Sequence, residues 1–226
     1  MSLSHIMKRT IALASLLLTT AAFATPSGLN NIPTADTPPQ GTVVIQAWTN
    51  FGNDHDADFN MGFKTGFDVF GQKLEFGADS HLLPDKGGPV VLQFKYVQDM
   101  WQGGKFALGI ANLGLTSEAN DRAGDPFSYA LISQDVAGLF RAHAGFGFQT
   151  HNNSVLLGLD KTVKVLDRDL QLRTDFVQIQ DQNQWLGSLG FLYALHKNLV
   201  VEAWASQPLD SGEAVYTAKL NFVFNF

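Results

Sequence analysis

From Thr42 onward, apolar and polar residues alternate in short runs divided by turn residues, as in β-strands with one apolar and one polar face. The last eleven residues show the pattern. Tyr216, Ala218, Leu220, Phe222, Phe224 and Phe226 share one face, with Thr217, Lys219, Asn221, Val223 and Asn225 on the other, because strand side chains alternate with period two. The same reading predicts strands near 42–50, 58–69, 72–81, 89–98, 104–113 and 127–134. Six more are predicted near 138–149, 154–163, 169–179, 184–195, 199–206 and 214–226. No stripe at helical spacing is sustained, and no stretch after the N-terminal segment reaches the ~18 apolar residues of a spanning helix. The expected fold class is all-β, a closed antiparallel barrel of about twelve strands.

Connection lengths add orientation. Those after odd-numbered strands include Phe51–Ala57, Leu82–Gly88, Gly114–Pro126 and Gln207–Glu213, and Thr150–Asn153 is a short member of the set. Those after even-numbered strands include Phe70-Gly71, Asp135–Ala137 and His196–Asn198, with Lys164–Arg168 longer than the others. An even strand count with long loops at one end and short turns at the other is the arrangement of barrels that cross a membrane.

Alternation alone does not say which face is outside, since a soluble barrel with an apolar interior alternates too. One face carries Phe59, Met61, Phe63, Phe67, Phe76, Phe94, Leu108, Phe146, Phe148, Leu172, Phe176, Leu189 and Phe191, with aromatics gathered near strand ends. The other carries Lys64, Asp68, Lys73, Glu75, Asp79, Lys95, Lys105, Arg141, His143, Asp160, Arg173, Asp175, Glu202 and Lys219, interspersed with Gly62, Gly66, Gly77, Gly145, Gly147 and Gly158. A water-facing surface is denser in Lys and Glu and poorer in Gly. The apolar face is therefore read as lipid-facing and the charged one as the lining of a polar lumen.

The N-terminus supports export. Met7-Lys8-Arg9 is a positive n-region, Ile11–Leu18 an apolar h-region and Ala22-Phe23-Ala24 a small-residue cleavage site, so residues 1–24 read as a signal peptide and Thr25 as the mature start. Met1–Ile6 reads as an upstream start or an appended stretch. Removing Lys8 and Arg9 leaves 13 basic against 21 acidic residues, a net charge of −8. That balance argues against a nucleic-acid partner. The chain has no cysteine, which rules out disulfides and thiolate metal sites. Thr25–Gly41, rich in Pro, Asn and Gly, reads as an extended periplasmic lead-in to a barrel over 42–226.

A closing strand that ends on Phe226, with Tyr216, Phe222 and Phe224 on the same face, resembles the C-terminal signature of bacterial outer-membrane β-barrels. The resemblance implies the Gram-negative outer membrane as location. It also implies the barrel-assembly machinery as a partner during biogenesis, and outer-membrane lipids and lipopolysaccharide as surroundings. The lead-in, P-S-G-L-x-x-x-P-T-A-x-x-x-x-x-G, resembles the segment that opens YjbH-type outer-membrane proteins, which implies a link to exopolysaccharide production or export.

Candidate chemistry is sparse. The charged face nearly balances in sign, so its residues form either a mutually neutralising network or a solute path with weak ion selectivity. Twelve strands enclose an interior between a side-chain-filled eight-stranded barrel and a wide porin. Asp54, Asp56 and Asp58 offer oxygen ligands to a divalent cation, but Phe59 and Thr65 stand where an EF-hand needs Gly and Glu, so no metal site is assigned. Glu118–Asp125 reads as a polar loop. His81, His143, His151 and His196 are scattered and no G-x-S-x-G accompanies them, so no catalytic residue is assigned and no cofactor is expected. The favoured expectation is passive passage of small solutes through a charged lumen. The alternatives are an accessory barrel for exopolysaccharide export and a lipid-modifying outer-membrane enzyme.

Overall fold

In the computed structural model, which describes residues 26–52, 55–82, 87–114, 125–150, 152–179, 184–210 and 212–226, the alternating runs form twelve antiparallel strands. They are β1 Thr42–Gly52, β2 His55–Val69, β3 Gln72–Leu82, β4 Gly87–Trp101, β5 Gly104–Gly114 and β6 Phe127–Val136. The second half comprises β7 Phe140–Phe148, β8 Asn153–Val165, β9 Arg168–Ile179, β10 Gln184–His196, β11 Leu199–Pro208 and β12 Val215–Asn225. Each strand pairs with its sequence neighbours, and β1 pairs with β12 to close the barrel. Closure removes both sheet edges and so satisfies the backbone groups that an edge would leave bare. The seam runs in unbroken register from Thr42 opposite Asn225 to Phe51 opposite Tyr216. Just past it, the Phe226 N–H donates to the Gly41 carbonyl at 2.9 Å.

Tight turns gather at the end where β1 begins and β12 finishes. Phe70-Gly71 and Leu166-Asp167 are two-residue connections with positive φ at both positions, 52° and 80° in the first and 52° and 61° in the second. That is the conformation whose twist matches paired strands. The β8–β9 connection is therefore shorter than the expected Lys164–Arg168, whereas the long loop expected at Phe51–Ala57 is corrected, since β1 runs to Gly52 and β2 starts at His55 and only residues 53–54 lie between them. Phe70, Leu139, Leu166 and Phe226 are all largely exposed at this rim.

The face assignment follows from burial. Phe59, Met61, Phe63, Phe94, Phe146, Phe148, Leu172, Phe176 and Leu189 are exposed on the outer wall. Phe63, Phe76 and Phe94 form an aromatic ladder across β2, β3 and β4, with centroids 5.8 and 5.0 Å apart. Facing inward and buried are Gln46, Glu75, Asp79, Gln93, Lys95, His143, Asp160, Arg173, Asp175, Glu202, Lys219 and Asn221.

Two expectations are corrected. First, residues 26–41 are not a periplasmic lead-in. They fold back into the barrel as a plug. Its core is a small hairpin in which Gly28 bridges Pro33, Leu29 N–H donates to the Ile32 carbonyl at 2.9 Å, and Thr34 N–H donates to the Ser27 carbonyl at 3.1 Å. Second, the lumen is not polar throughout. Val97, Ala107, Tyr129, Leu131 and Leu156 form an apolar patch on the inner wall of β4–β8, and Leu29, Ile32 and Ala35 of the plug pack against it. These three apolar residues, spaced by three in a polar stretch, need cover that a periplasmic strand would not give them.

Candidate functional site

The lumen wall and the plug make up the site. The plug tip is a grip on one carboxylate. Successive N–H groups of Asn30 and Asn31 donate to Asp175 Oδ2 at 2.8 and 2.9 Å. The Asn31 side-chain amide and the Ser188 hydroxyl donate to Oδ1 at 3.1 and 2.6 Å. Consecutive backbone donors in a turn form a natural anion nest. Asn30 and Asn31 also reach Ser188 on β10 and Ser206 on β11, at 2.8 and 3.0 Å. On the opposite wall, Ser27 N–H donates to Glu75 Oε1 at 2.8 Å, and its carbonyl accepts from Lys95 Nζ at 2.7 Å. Ala35 N–H donates to Ser133 Oγ at 2.9 Å. The plug therefore spans the lumen from β3 and β4 to β9–β11.

Two inner-wall glycines make room for it. A Cβ at Gly66 would overlap the Pro38 carbonyl, and one at Gly158 would press on the terminal methyls of Leu29 and Ile32.

Near the tight-turn end, Asp36 meets two cations of the wall. Arg141 Nη1 bonds Asp36 Oδ1 at 2.8 Å, Arg141 Nη2 lies 2.7 Å from Oδ2, and Lys105 Nζ is 3.3 Å from Oδ1. Burial would raise the Asp36 carboxyl, but Arg141, and then Lys105, outweigh it and hold the group well below the usual carboxylate range. Asp36 lies on the plug, off the spanning strands, and stays charged until the pH falls far into acid. Only there is its contribution to plug seating lost.

The charged residues expected on the inner wall sort into definite partnerships. Lys95 pairs with Glu75 at 3.4 Å and Arg173 with Glu202 at 2.6 Å. Arg141 pairs with Asp160 at 3.0 Å, and Lys73 with Asp99 at 2.9 Å at the rim. Asp79 accepts from the Gln46 amide at 3.1 Å, and Lys219 lies 5.2 Å from the Trp48 ring centre. Lys64 and Asp68 enter none of these pairs. Asp175, expected opposite a cation, is instead held by neutral donors of the plug and Ser188. Asp58 accepts from the Asn50 and Asn60 amides, both at 3.0 Å. Asp54, the Asp56 side chain, the His81 side chain, His151 and most of Glu118–Asp125 lie outside the described residues. His196 ends β10, and its Nδ1 accepts from Asn198 N–H in the following turn at 3.3 Å.

His143 has partners that no linear motif announces. Ser133 Oγ lies 2.7 Å from Nδ1, and Asp160 Oδ2 lies 2.8 Å from Nε2. Register produces this row, because Ser133 and Gly158 flank His143 and Asp160 is two residues along β8. The row differs from a hydrolytic triad, in which serine meets Nε2 and the carboxylate meets Nδ1. Here the order is reversed, and Ser133 Oγ is already accepting from the plug. The row braces the wall beneath Ala35 and Asp36.

Sequence reading missed the plug residues Ser27, Asn30, Asn31 and Asp36, and the wall residues Gln46, Trp48, Ser133 and Ser188. Leu29, Ile32 and Ala35 were the available signal for the plug.

No family model matches the sequence, and no curated protein matches it. The likeness of residues 25–41 to YjbH-type proteins therefore stands on those residues alone. Solved structures do match in fold. The KdgM porin aligns with a TM-score of 0.57 at 9% identity over 80% of this chain and 99% of that one. The NanC porin gives 0.51 at 10% identity over 80% and 98%. The translocator domain of the autotransporter NalP from Neisseria meningitidis gives 0.53 at 10% identity over 99% and 96%. The chain thus has the fold of a porin-like outer-membrane barrel.

Proposed function

We propose that the protein resides in the outer membrane of a Gram-negative bacterium and admits small solutes passively through its charged lumen. The observation that carries this reading is the division of the closed barrel. An apolar belt rich in Phe lies outside, and a wall of ionisable and amide side chains lies inside. A soluble barrel would bury the Phe residues and expose the charges. Barrels of this fold include proteins described as porins, among them a KdgM porin in complex with disordered oligogalacturonate. In this setting lipids and lipopolysaccharide surround the belt, and the exposed apolar rim of Phe70, Leu139, Leu166 and Phe226 rests in the membrane interface.

Purified protein in planar bilayers tests the reading. Discrete conductance steps whose size or sign preference changes in Arg141→Ala are expected. Persistent silence at high protein concentration would overturn it. The plug in the lumen favours a second reading, an accessory barrel without steady conduction that serves exopolysaccharide export. Silence in the bilayer, together with loss of polymer secretion on deletion of the gene, would support that reading instead.

The same proposal extends to assembly, with the barrel-assembly machinery recognising the strand that carries Tyr216, Phe222, Phe224 and Phe226. Deleting Phe226 removes an exposed ring and one backbone bond to Gly41 while leaving the rest of the seam. The expected result is a several-fold fall in folded, heat-modifiable barrel in cells, with conductance per folded barrel unchanged. Normal folded yield from the truncated chain would refute the assignment.

A further inference from the structure

The Asp36 carboxylate occupies a place that the barrel wall builds without help from the plug. Arg141 on β7 presents two guanidinium nitrogens to its two oxygens, at 2.8 and 2.7 Å. That parallel fork fits a carboxylate. Lys105 on β5 supplies a second cation at 3.3 Å. Behind it, Asp160 accepts from Arg141 Nε and Nη2 at 3.1 and 3.0 Å and is tied to His143 at 2.8 Å, so the wall itself aims the guanidinium. The two ends of the plug differ in access. Asp175 is fully buried, whereas the Arg141, Lys105 and Asp36 side chains are 26%, 36% and 31% exposed. A dissolved anion can reach this end first.

We propose that Arg141 and Lys105 form a carboxylate-binding site of the lumen, filled at rest by the plug's own Asp36, and that an anionic solute loosens the plug by taking Asp36's place. The proposal rests on the passage reading, because a displaced plug matters only if something crosses. Asp36 is tethered to the start of β1 by residues 37–41, and a short tether gives an effective concentration in the millimolar range. The competing anion must therefore be present at millimolar levels or carry several carboxylates. The grip on Asp175 remains after Asp36 is displaced, so one site loosens the segment without expelling it.

The absence of cysteine permits a direct test on the full chain. Ala35→Cys places a thiol beside the latch at a fully buried position, and its labelling by a water-soluble maleimide reports whether the plug is seated. Thr34→Cys serves as a second reporter should the first variant fold poorly. Citrate at about 10 mM should speed labelling at least several-fold over chloride of equal ionic strength, the concentration following from the millimolar tether. Asp36→Asn should label fast with no citrate response, and Arg141→Ala should abolish that response. Phosphate as effective as citrate would widen the ligand class to oxyanions in general. Labelling that ignores citrate, or a citrate response that survives Arg141→Ala, would overturn the proposal. Bilayer recordings are scored separately. Silence with citrate-dependent labelling removes the passage reading alone, and conductance with citrate-insensitive labelling removes the latch alone.

Discussion

Asp175→Ala is expected to release the plug tip while the barrel stays folded. The wild-type carboxylate accepts from two plug backbone amides and one plug side-chain amide, at 2.8, 2.9 and 3.1 Å. Hydrogen bonds to a charged acceptor contribute about 1.5–3 kcal/mol each, and a buried donor left without a partner costs a further 1–3 kcal/mol. Not all of this survives relaxation, because water can follow a loosened tip. A net loss of about 3 kcal/mol in plug seating is the expected result. In hydrogen exchange that corresponds to roughly a hundredfold loss of protection at Asn30 and Asn31, since each 1.4 kcal/mol is about tenfold. The β9–β10 ladder around Thr174 and Ser188 should keep its protection, because its bonds run between main-chain groups and do not need the Asp175 side chain. Asp175→Asn, which keeps one acceptor oxygen, should lose less. Unchanged protection in Asp175→Ala would mean that the apolar contacts of Leu29 and Ile32 alone hold the hairpin.

Asp175 also shows where sequence reading reaches its limit. Its placement on the inner wall followed from period-two alternation, as it did for Glu75, Lys95, Arg173 and Glu202. Most strand boundaries, the seam between β1 and β12 and the short turns after even-numbered strands were legible for the same reason, although β1 and β2 extend to Gly52 and His55 where a longer loop was expected. They depend on local chemistry that repeats along the chain. Partner identity does not repeat. Asp175 meets Asn31, 144 residues away in sequence, and Arg141 meets Asp36, 105 residues away. In the Pro- and Asn-rich segment leading to β1 the spacing of Leu29, Ile32 and Ala35 is the one signal, and three positions are too few to separate an extended tail from an inserted plug. Of the inner-wall glycines, Gly158 and Gly66 are explained only by the packing of Leu29, Ile32 and Pro38 against them, which no local pattern announces. Tyr129, Leu131 and Leu156 face inward although they are apolar, because the plug supplies an apolar surface that a water-filled lumen would not.

Arg173→Met should destabilise the barrel itself by roughly 3–5 kcal/mol, the usual cost of stripping one partner from a buried ion pair. Arg173 Nη1 lies 2.6 Å from Glu202 Oε2, with the two side chains 4% and 9% exposed. The second Glu202 oxygen is taken by the Asn221 amide at 2.6 Å. Without the guanidinium, Glu202 must keep its charge in a nearly dry wall or take up a proton, and both oppose folding. Glu202→Gln added to Arg173→Met should restore most of the loss, because it removes the unpaired charge and leaves an acceptor for Asn221. The rim supplies the contrast. Lys73 and Asp99 are as close, at 2.9 Å, but their side chains are 41% and 60% exposed, so Lys73→Met should cost less than about 1 kcal/mol. Urea unfolding in detergent micelles, compared across the three variants and wild type, measures all of these differences. A loss below about 1 kcal/mol for Arg173→Met would show that water reaches the pair as freely as it reaches the rim. The inner wall beneath the plug would then be wet, and the plug would have to be a looser stopper than its hydrogen bonds describe.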